Sequence, residues 1–308
     1  MVDGMEGLKR ILPAKIYEML ERAGICTPKE IVTLSMWDLK KATNMTDQDI
    51  NLMKIITANH IRPSVLSAEE LESENYVLSG CPNFDKILKG GFKKGTLTEL
   101  YGESGSGKTQ LAMQVAAQCG MDGSVYICTE DIFPVKRFNK ISESVHGNII
   151  SYECRQNMYI EHLTEGQDLL SCIRVRLPKL LGNKRVSSII IDSIAAPFRC
   201  DNSNYVQRAE DLRELAISLL SIAQKFNCAV ICVNQVSSTF DETDDVLPSL
   251  GLAWSNMITY RMLLKRTNKV IYFQDSNTNV RELTIVFSPC LPNKISEFII
   301  TANGIKFL

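Results

Sequence analysis

The chain has no long uncharged apolar run. Its apolar stretches fall well short of the ~20 consecutive residues that cross a bilayer, which excludes a membrane-spanning helix. It also lacks a strong charge of either sign, since 34 Lys and Arg stand against 35 Asp and Glu for a formal net charge of -1. Any contact with nucleic acid must therefore come from local patches, because the field of the whole molecule will not supply it. Histidine is scarce, with only His60, His146 and His162, and no C-x-x-C pair exists, so the usual spacings assemble no zinc site. The 10 cysteines do not have the spacing of a disulfide framework. Cys228 and Cys232 lie within the apolar run CAVICV, where free cysteine acts as a small hydrophobe, and core thiols in a reducing compartment are expected. The N-terminal stretch MVDGMEGLKRILPAK is charged throughout and lacks the apolar core of a secretory signal. A soluble, intracellular protein with no membrane partner is expected.

What remains is a globular composition, 45% apolar and 22% charged, in 308 residues, enough for about two domains. Residues 1–62 read as a small all-α domain. LKRILPAKIYEMLERAG places Leu8, Ile11, Leu12, Ile16, Met19 and Leu20 near helical spacing, and Gly24 ends the run. Thr27-Pro28 starts a second helix, Ser35 caps a third and Thr46 a fourth. Arg62-Pro63 breaks the pattern, and residues 63–75 read as an acidic linker. From Tyr76 to Leu308 apolar runs alternate with amphipathic segments, the signature of an α/β fold with a mostly parallel central sheet. Strands are predicted over 96–101, 124–129, 187–192 and 228–234, continuous enough for a sheet covered on both faces. Helices are predicted over 108–119, 135–145, 166–181 and 205–226. The runs MITYRMLLK, RELTIVFS and EFIIT read as further strands with polar turns between them.

The chemistry concentrates after the first of these strands. Gly102-Glu103-Ser104-Gly105-Ser106-Gly107-Lys108-Thr109 fits the G-x-x-x-x-G-K-[ST] pattern of a P-loop, between a strand and a helix as the motif requires. Its glycines permit turns that aim backbone N–H groups at phosphate oxygens, Lys108 brings a positive charge, and Thr109 offers a hydroxyl to magnesium. The helix that follows, which carries Gln110 on its first turn, points its positive dipole end at the same anion. Asp192, behind a run of isoleucines at another strand end, is placed to help hold the metal. Glu130 ends the strand SVYICT beside the expected phosphates, as a base or water-positioner or as a capping carboxylate for the helix near 134. Gln235 closes the strand CAVICVN where a γ-phosphate is within reach.

Taken in order, the P-loop, TED at 129–131, IIIDS at 189–193, NQV at 234–236 and SPCLP at 288–292 resemble the RecA-type recombinases. The similarity is to the eukaryotic branch with a small helical N-terminal domain, and covers nearly the whole chain. VYICTEDIFPVKR, IDSIAAPFRC and LGLAWSN resemble a recombinase paralogue of that branch. The resemblance implies a RecA-like P-loop NTPase core that binds ATP and Mg2+, with Lys108, Glu130 and Gln235 in the catalytic group and Arg137 stacking on the adenine. It implies that Gln235 links the γ-phosphate to a second DNA-binding loop and that Pro289 and Pro292 cap a neighbour's nucleotide. Val65, Leu66 and Ala68 stand in the place of a polymerisation motif that adds a strand to an adjacent core, the alternative being a plain flexible linker. There Val65 replaces a phenylalanine and buries less area, which changes partner preference.

The departures from the recombinase pattern are as informative. Residues 237–250 contain Asp241, Glu242, Asp244 and Asp245 and no Lys or Arg, which opposes tracking a phosphodiester backbone. ATNMTDQD lacks the glycine-containing turn of a helix-hairpin-helix, so that hairpin is expected to be degenerate. Lys86, Lys89, Lys93, Lys94, Arg261, Lys265, Arg266 and Lys269 are basic, but such runs are commonly solvated surface. The expectation is a recombinase paralogue in homologous-recombination repair of double-strand breaks and crosslinks, with weak DNA-dependent ATPase activity. It would form a heterodimer with another recombinase paralogue, the C paralogue, assist the main recombinase filament, and bind single-stranded or branched DNA and stalled forks through the complex. The family implies a nuclear location, with cytoplasmic and mitochondrial pools. An autonomous strand-exchange recombinase forming homofilaments is the alternative, and a small-molecule kinase is a third reading that no acceptor motif encourages.

Overall fold

The computed structural model describes residues 5–62, 67, 75–198, 205–237, 247–248 and 250–308. The chain divides into two compact units, residues 1–73 and 74–308. The first contains helices α1 (Met5–Ile11), α2 (Ala14–Arg22), α3 (Pro28–Thr33), α4 (Met36–Thr43) and α5 (Asp47–Ile61). Their apolar faces close on one core that includes Leu8, Leu20, Ile31, Leu39, Ile50 and Met53, all fully buried. The helical run expected from Leu8 to Leu20 is divided at Leu12-Pro13, because a proline in mid-helix removes a donor and collides with the preceding turn. The caps fall where the sequence puts them. Thr27 Oγ1 accepts from the Glu30 amide at 3.2 Å while Glu30 Oε2 accepts from the Thr27 amide at 2.9 Å, a reciprocal capping box. Ser35 and Thr46 accept from the amides of Asp38 and Asp49. Where a glycine is lacking, Asn44 takes the left-handed conformation (φ 53°) and ends α4.

The second unit starts with β1 (Tyr76–Val77), α6 (Pro82–Ile87) and β2 (Phe92–Lys93), β1 and β2 pairing as a short antiparallel ribbon. There follow β3 (Leu97–Gly102), α7 (Lys108–Gln118), β4 (Ser124–Cys128), α8 (Val135–Gln156), β5 (Met158–His162), α9 (Gly166–Ser171) and α10 (Leu177–Asn183). Next come β6 (Ser188–Asp192), α11 (Tyr205–Phe226), β7 (Ala229–Asn234), β8 (Val236–Ser237), β9 (Leu247–Pro248) and α12 (Gly251–Ser255). The chain finishes with β10 (Tyr260–Phe273), β11 (Ser276–Phe287), β12 (Ile295–Thr301) and β13 (Gly304–Phe307).

Nine strands form one sheet in the order β13-β12-β11-β10-β3-β7-β6-β4-β5. From β10 to β5 all neighbours run parallel, and β10 through β13 pair antiparallel. Both faces are covered. One carries a core with Leu111, Met113, Val115, Tyr126, Ile190 and Ile231, the other a core with Ile127, Leu169, Ile189, Leu215, Leu219 and Val230. This double burial explains why β3 and β7 are buried at every residue and why β7 reads as a continuous apolar run up to Asn234.

Three predictions need correction. The helix expected over 135–145 runs on to Gln156 across a non-helical Gly147 (φ 72°), which a residue without Cβ absorbs cheaply. The edge strand β5 was absent from the sequence prediction; only half of the pleat is covered there, and no residue of β5 is fully buried. The expected strand MITYRMLLK is the start of a 14-residue β10, which joins β11 in one long hairpin through Gln274 and Asp275, both at positive φ. Among the described residues no helix is long and apolar enough to cross a membrane, and every cysteine is a free thiol.

Candidate functional site

In a parallel sheet the strands all deliver their C-terminal ends to one edge, and a ligand crevice opens there. The ends of β3, β4, β6 and β7 meet in this way around a cavity of about 520 Å³. The loop after β3 turns through Gly102, Gly105 and Gly107, at φ 153°, 74° and 105°, and delivers the N-terminus of α7 to the cavity. Gly102 is the position where no other residue fits, because a Cβ would collide with the Leu264 carbonyl on β10.

Ser104, Gly105, Gly107, Lys108, Thr109, Gln110 and Arg137 line this cavity together with Glu130, Asp192 and Gln235. Gly102, Glu103 and Ser106 belong to the same loop but stay out of the lining. Ser106 is fully buried, and the Glu103 carboxylate faces away from the cavity toward Arg266, accepting from its backbone amide at 3.0 Å and from Nη2 at 3.1 Å. That interaction holds the Glu103 carboxyl below its usual range. Pro289 and Pro292, in the loop after β11, are also absent from the lining. Val65, Leu66 and Ala68 lie outside the described residues, as do Asp241, Glu242, Asp244 and Asp245.

Lys108 is buried, and its Nζ donates to the carbonyls of Gly102 and Glu103 at 2.7 Å each. Burial pushes its pKa down, opposed by the charges of Asp192, Glu130 and Glu103. Asp192 sits at the cavity floor, bonded to Tyr126 and Thr109. Burial raises its pKa, against the Tyr126 and Thr109 hydrogen bonds and the Lys108 charge. A buried cation and a half-buried carboxylate therefore share one cavity with a hydroxyl beside them.

The Glu130 carboxylate follows the end of β4 and reaches residues that follow β6 and β7. It accepts from Gln235 Nε2 at 2.6 and 2.8 Å and from Ser193 Oγ at 3.3 Å, so the strand ends of β4, β6 and β7 are linked at this one group. Arg137, on the first turn of α8, donates through Nε to Gln110 Oε1 at 2.7 Å and through Nη2 to the Thr301 carbonyl at 2.8 Å. Its guanidinium is thus tied by its edge. Sequence reasoning missed Asp131, Ser193, Val233, Ile300 and Thr301 in the lining. Ser193 directly follows the aspartate of IIIDS and was within reach of that motif. Ile300 and Thr301 carry no motif, and only the topology, which sets β12 against the P-loop end of the sheet, brings them in.

The arrangement is that of a polyanion site: backbone turns and a helix N-terminus, a lysine, paired hydroxyl and carboxylate oxygens, and a carboxylate held for proton or water chemistry. A family model described as Rad51 matches residues 73–307 of the chain. The chain is 32% identical over 330 residues to the Bos taurus protein named DNA repair protein XRCC3, covering 96% of each. It is 31% identical to the Arabidopsis thaliana DNA repair protein XRCC3 homolog, over 74% of this chain and 91% of that protein. It is 26% identical to the Schizosaccharomyces pombe DNA repair protein rhp57, over 90% of this chain and 91% of that protein.

Proposed function

The chain belongs to the Rad51 family, and on that premise we propose that it is an ATP-binding recombinase paralogue acting in DNA repair by homologous recombination. The observation that carries this reading is the convergence of Lys108, Thr109, Asp192, Glu130 and Gln235 on one cavity at the strand C-termini. The relatives named for DNA repair, similar over nearly the whole chain, supply the process.

The residues present fit a nucleoside triphosphate with a divalent cation. A cavity of about 520 Å³ lies in the range for such a ligand. Lys108 Nζ, now held by two carbonyls of its own loop, can exchange these for phosphate oxygens, and an arriving anion offsets the cost of its burial. Thr109 and Asp192 offer hard oxygen donors to magnesium. When bound, the metal would neutralise charge that develops on the phosphates. The chain's own residues do the rest. The P-loop amides and Lys108 hold the phosphates, Arg137 offers its flat face to the base, and Glu130 orients a water for in-line attack. Gln235, bonded to Glu130, would sense the γ-phosphate beside that carboxylate.

DNA would be engaged mainly through an assembly, because residues 237–250 bring four carboxylates and no cation to the position of a DNA-binding loop. A heterodimer with another recombinase paralogue, the C paralogue, working in the nucleus beside the main recombinase at branched DNA and stalled forks, is the form this implies.

Lys108→Ala tests the nucleotide reading. Removing a charged hydrogen-bond donor of about 1.5–3 kcal/mol should weaken ATP binding some 10- to 100-fold in titration calorimetry. Nucleotide affinity unchanged by this substitution would remove the P-loop assignment.

A further inference from the structure

We propose that Tyr126 is a positioning residue for Asp192, fixing the orientation in which that carboxylate is offered to the divalent cation; the inference rests on the nucleotide reading above. Tyr126 lies on β4 and Asp192 on β6, which are parallel neighbours with Cys128 opposite Asp192 and Tyr126 opposite Ile190. The period of two puts Tyr126 and Asp192 on one face of the sheet, and the length of a tyrosine spans the two residues that separate their register positions. Its hydroxyl donates to Asp192 Oδ2 at 2.7 Å.

Two features distinguish this contact from ordinary satisfaction of a buried hydroxyl. First, the acceptor is a charged carboxylate at the cavity floor, where such a bond is short, directional and strong. Second, the ring itself is immobilised. Tyr126 is 1% exposed and stands edge-on to Phe133 at 4.9 Å, and Phe133 in turn packs against Phe138 at 5.3 Å. Phe133 and Phe138 flank the segment that carries Arg137. One row of aromatic rings therefore runs from the tyrosine bonded to Asp192 to the first turn of α8, and the hydroxyl at its tip cannot follow a rotating carboxylate. With Oδ2 held on one side and Thr109 bonded to the same carboxylate, Asp192 keeps one orientation toward the cavity. Partners of metal-holding carboxylates characteristically set the ligand's orientation, and their loss costs about 10- to 100-fold in metal affinity.

The test is Tyr126→Phe in the full-length chain, which removes the hydroxyl and keeps the ring stack. Binding of ATPγS is measured while Mg2+ is titrated, and separately in excess EDTA. The magnesium concentration at half-maximal tightening should rise about tenfold or more, with affinity in EDTA unchanged within about twofold. In an Asp192→Asn background the same substitution should add no further shift, because Tyr126 acts through that carboxylate. A magnesium midpoint that stays put or falls, an equal loss in both arms, or a full shift persisting beside Asp192→Asn overturns the proposal. If Tyr126→Phe does not fold, Phe133→Leu keeps the hydroxyl and loosens the ring. It must move the midpoint in the same direction, and a wild-type midpoint there also overturns the proposal. A wild-type chain that binds no ATPγS in either arm defeats the nucleotide reading itself, and this inference with it.

Discussion

Single buried charges show how function and stability oppose each other in this chain. Asp192 has its carboxyl pushed up by burial, more than Tyr126, Thr109 and Lys108 pull it down. A group whose folded-state pKa exceeds its unfolded value favours the fold only while protonated, and that contribution is lost as pH rises through the folded pKa. In its ionised form Asp192 is therefore a cost to the nucleotide-free protein. Asp192→Asn should melt higher than wild type at pH 7 in scanning calorimetry, at roughly 2–4 °C for each kcal/mol relieved. The difference should shrink as pH falls toward the ordinary aspartate range, where the wild-type carboxyl takes up its proton. An asparagine variant that melts at or below wild type at pH 7 contradicts this account. Glu99 handles burial differently. Fully buried on β3, it accepts from Asn234 Nδ2 at 2.8 Å, Trp254 Nε1 at 2.9 Å and Arg261 Nε at 2.6 Å. The P-loop strand is thereby tied to both ends of the segment that begins at Gln235. Nothing in the sequence around Glu99 announces this role, because its three donors stand far along the chain and only the strand order brings them together.

At the scale of elements, local signals carried the assignment wherever a side chain acts on its own neighbourhood. Thr27, Ser35 and Thr46 cap helices within three residues of themselves, and the P-loop turn depends on glycines inside the motif. Thr27→Ala should cost about 1 kcal/mol locally, seen as roughly fivefold faster amide hydrogen exchange in α3 of the full chain. Exchange at the wild-type rate would mean that the capping box is idle. Elements that depend on distant pairing were not legible. β5 is an edge strand with one neighbour, β4, and its half-covered residues give no clean alternation. The β10–β11 hairpin was read as separate strands because its ladder is irregular. Between Arg266 and Val270 the register slips, and Arg266 pairs directly with Arg281 across the strands. Like charges so placed repel, and Arg266 is drawn instead to Glu103 of the P-loop while Arg281 Nε reaches the Gly105 carbonyl at 3.2 Å. The candidate site divides along the same line. The residues inside motifs were found, whereas the tyrosine behind Asp192 and the β12 residues beside Arg137 were not, since each acts across the sheet.

For the whole molecule, the arithmetic of charge and surface points to a partner. A net charge of -1 gives the chain no long-range attraction to a polyanion, and its acidic 237–250 segment opposes one locally. The nucleotide cavity nevertheless keeps every group that phosphate binding asks for. A protein that holds ATP but carries little of its own to hold DNA works best as one member of an assembly that brings the missing cations. A polymerisation-type motif at Val65, Leu66 and Ala68, against a plain flexible linker, is a proposal open to a direct test. If that motif docks on a partner, a valine would offer less apolar area than a phenylalanine, at ~25 cal/mol for each Å² lost, and would favour a shallower pocket. Replacing Val65 and Ala68 by Glu places carboxylates where apolar side chains would be buried, a cost no single surface contact can offset. Co-expressed with a candidate paralogue and run on a sizing column, the wild-type chain should elute as a heterodimer and the double variant alone. Co-elution that survives both substitutions takes the linker out of the interface and leaves the core to account for the pairing.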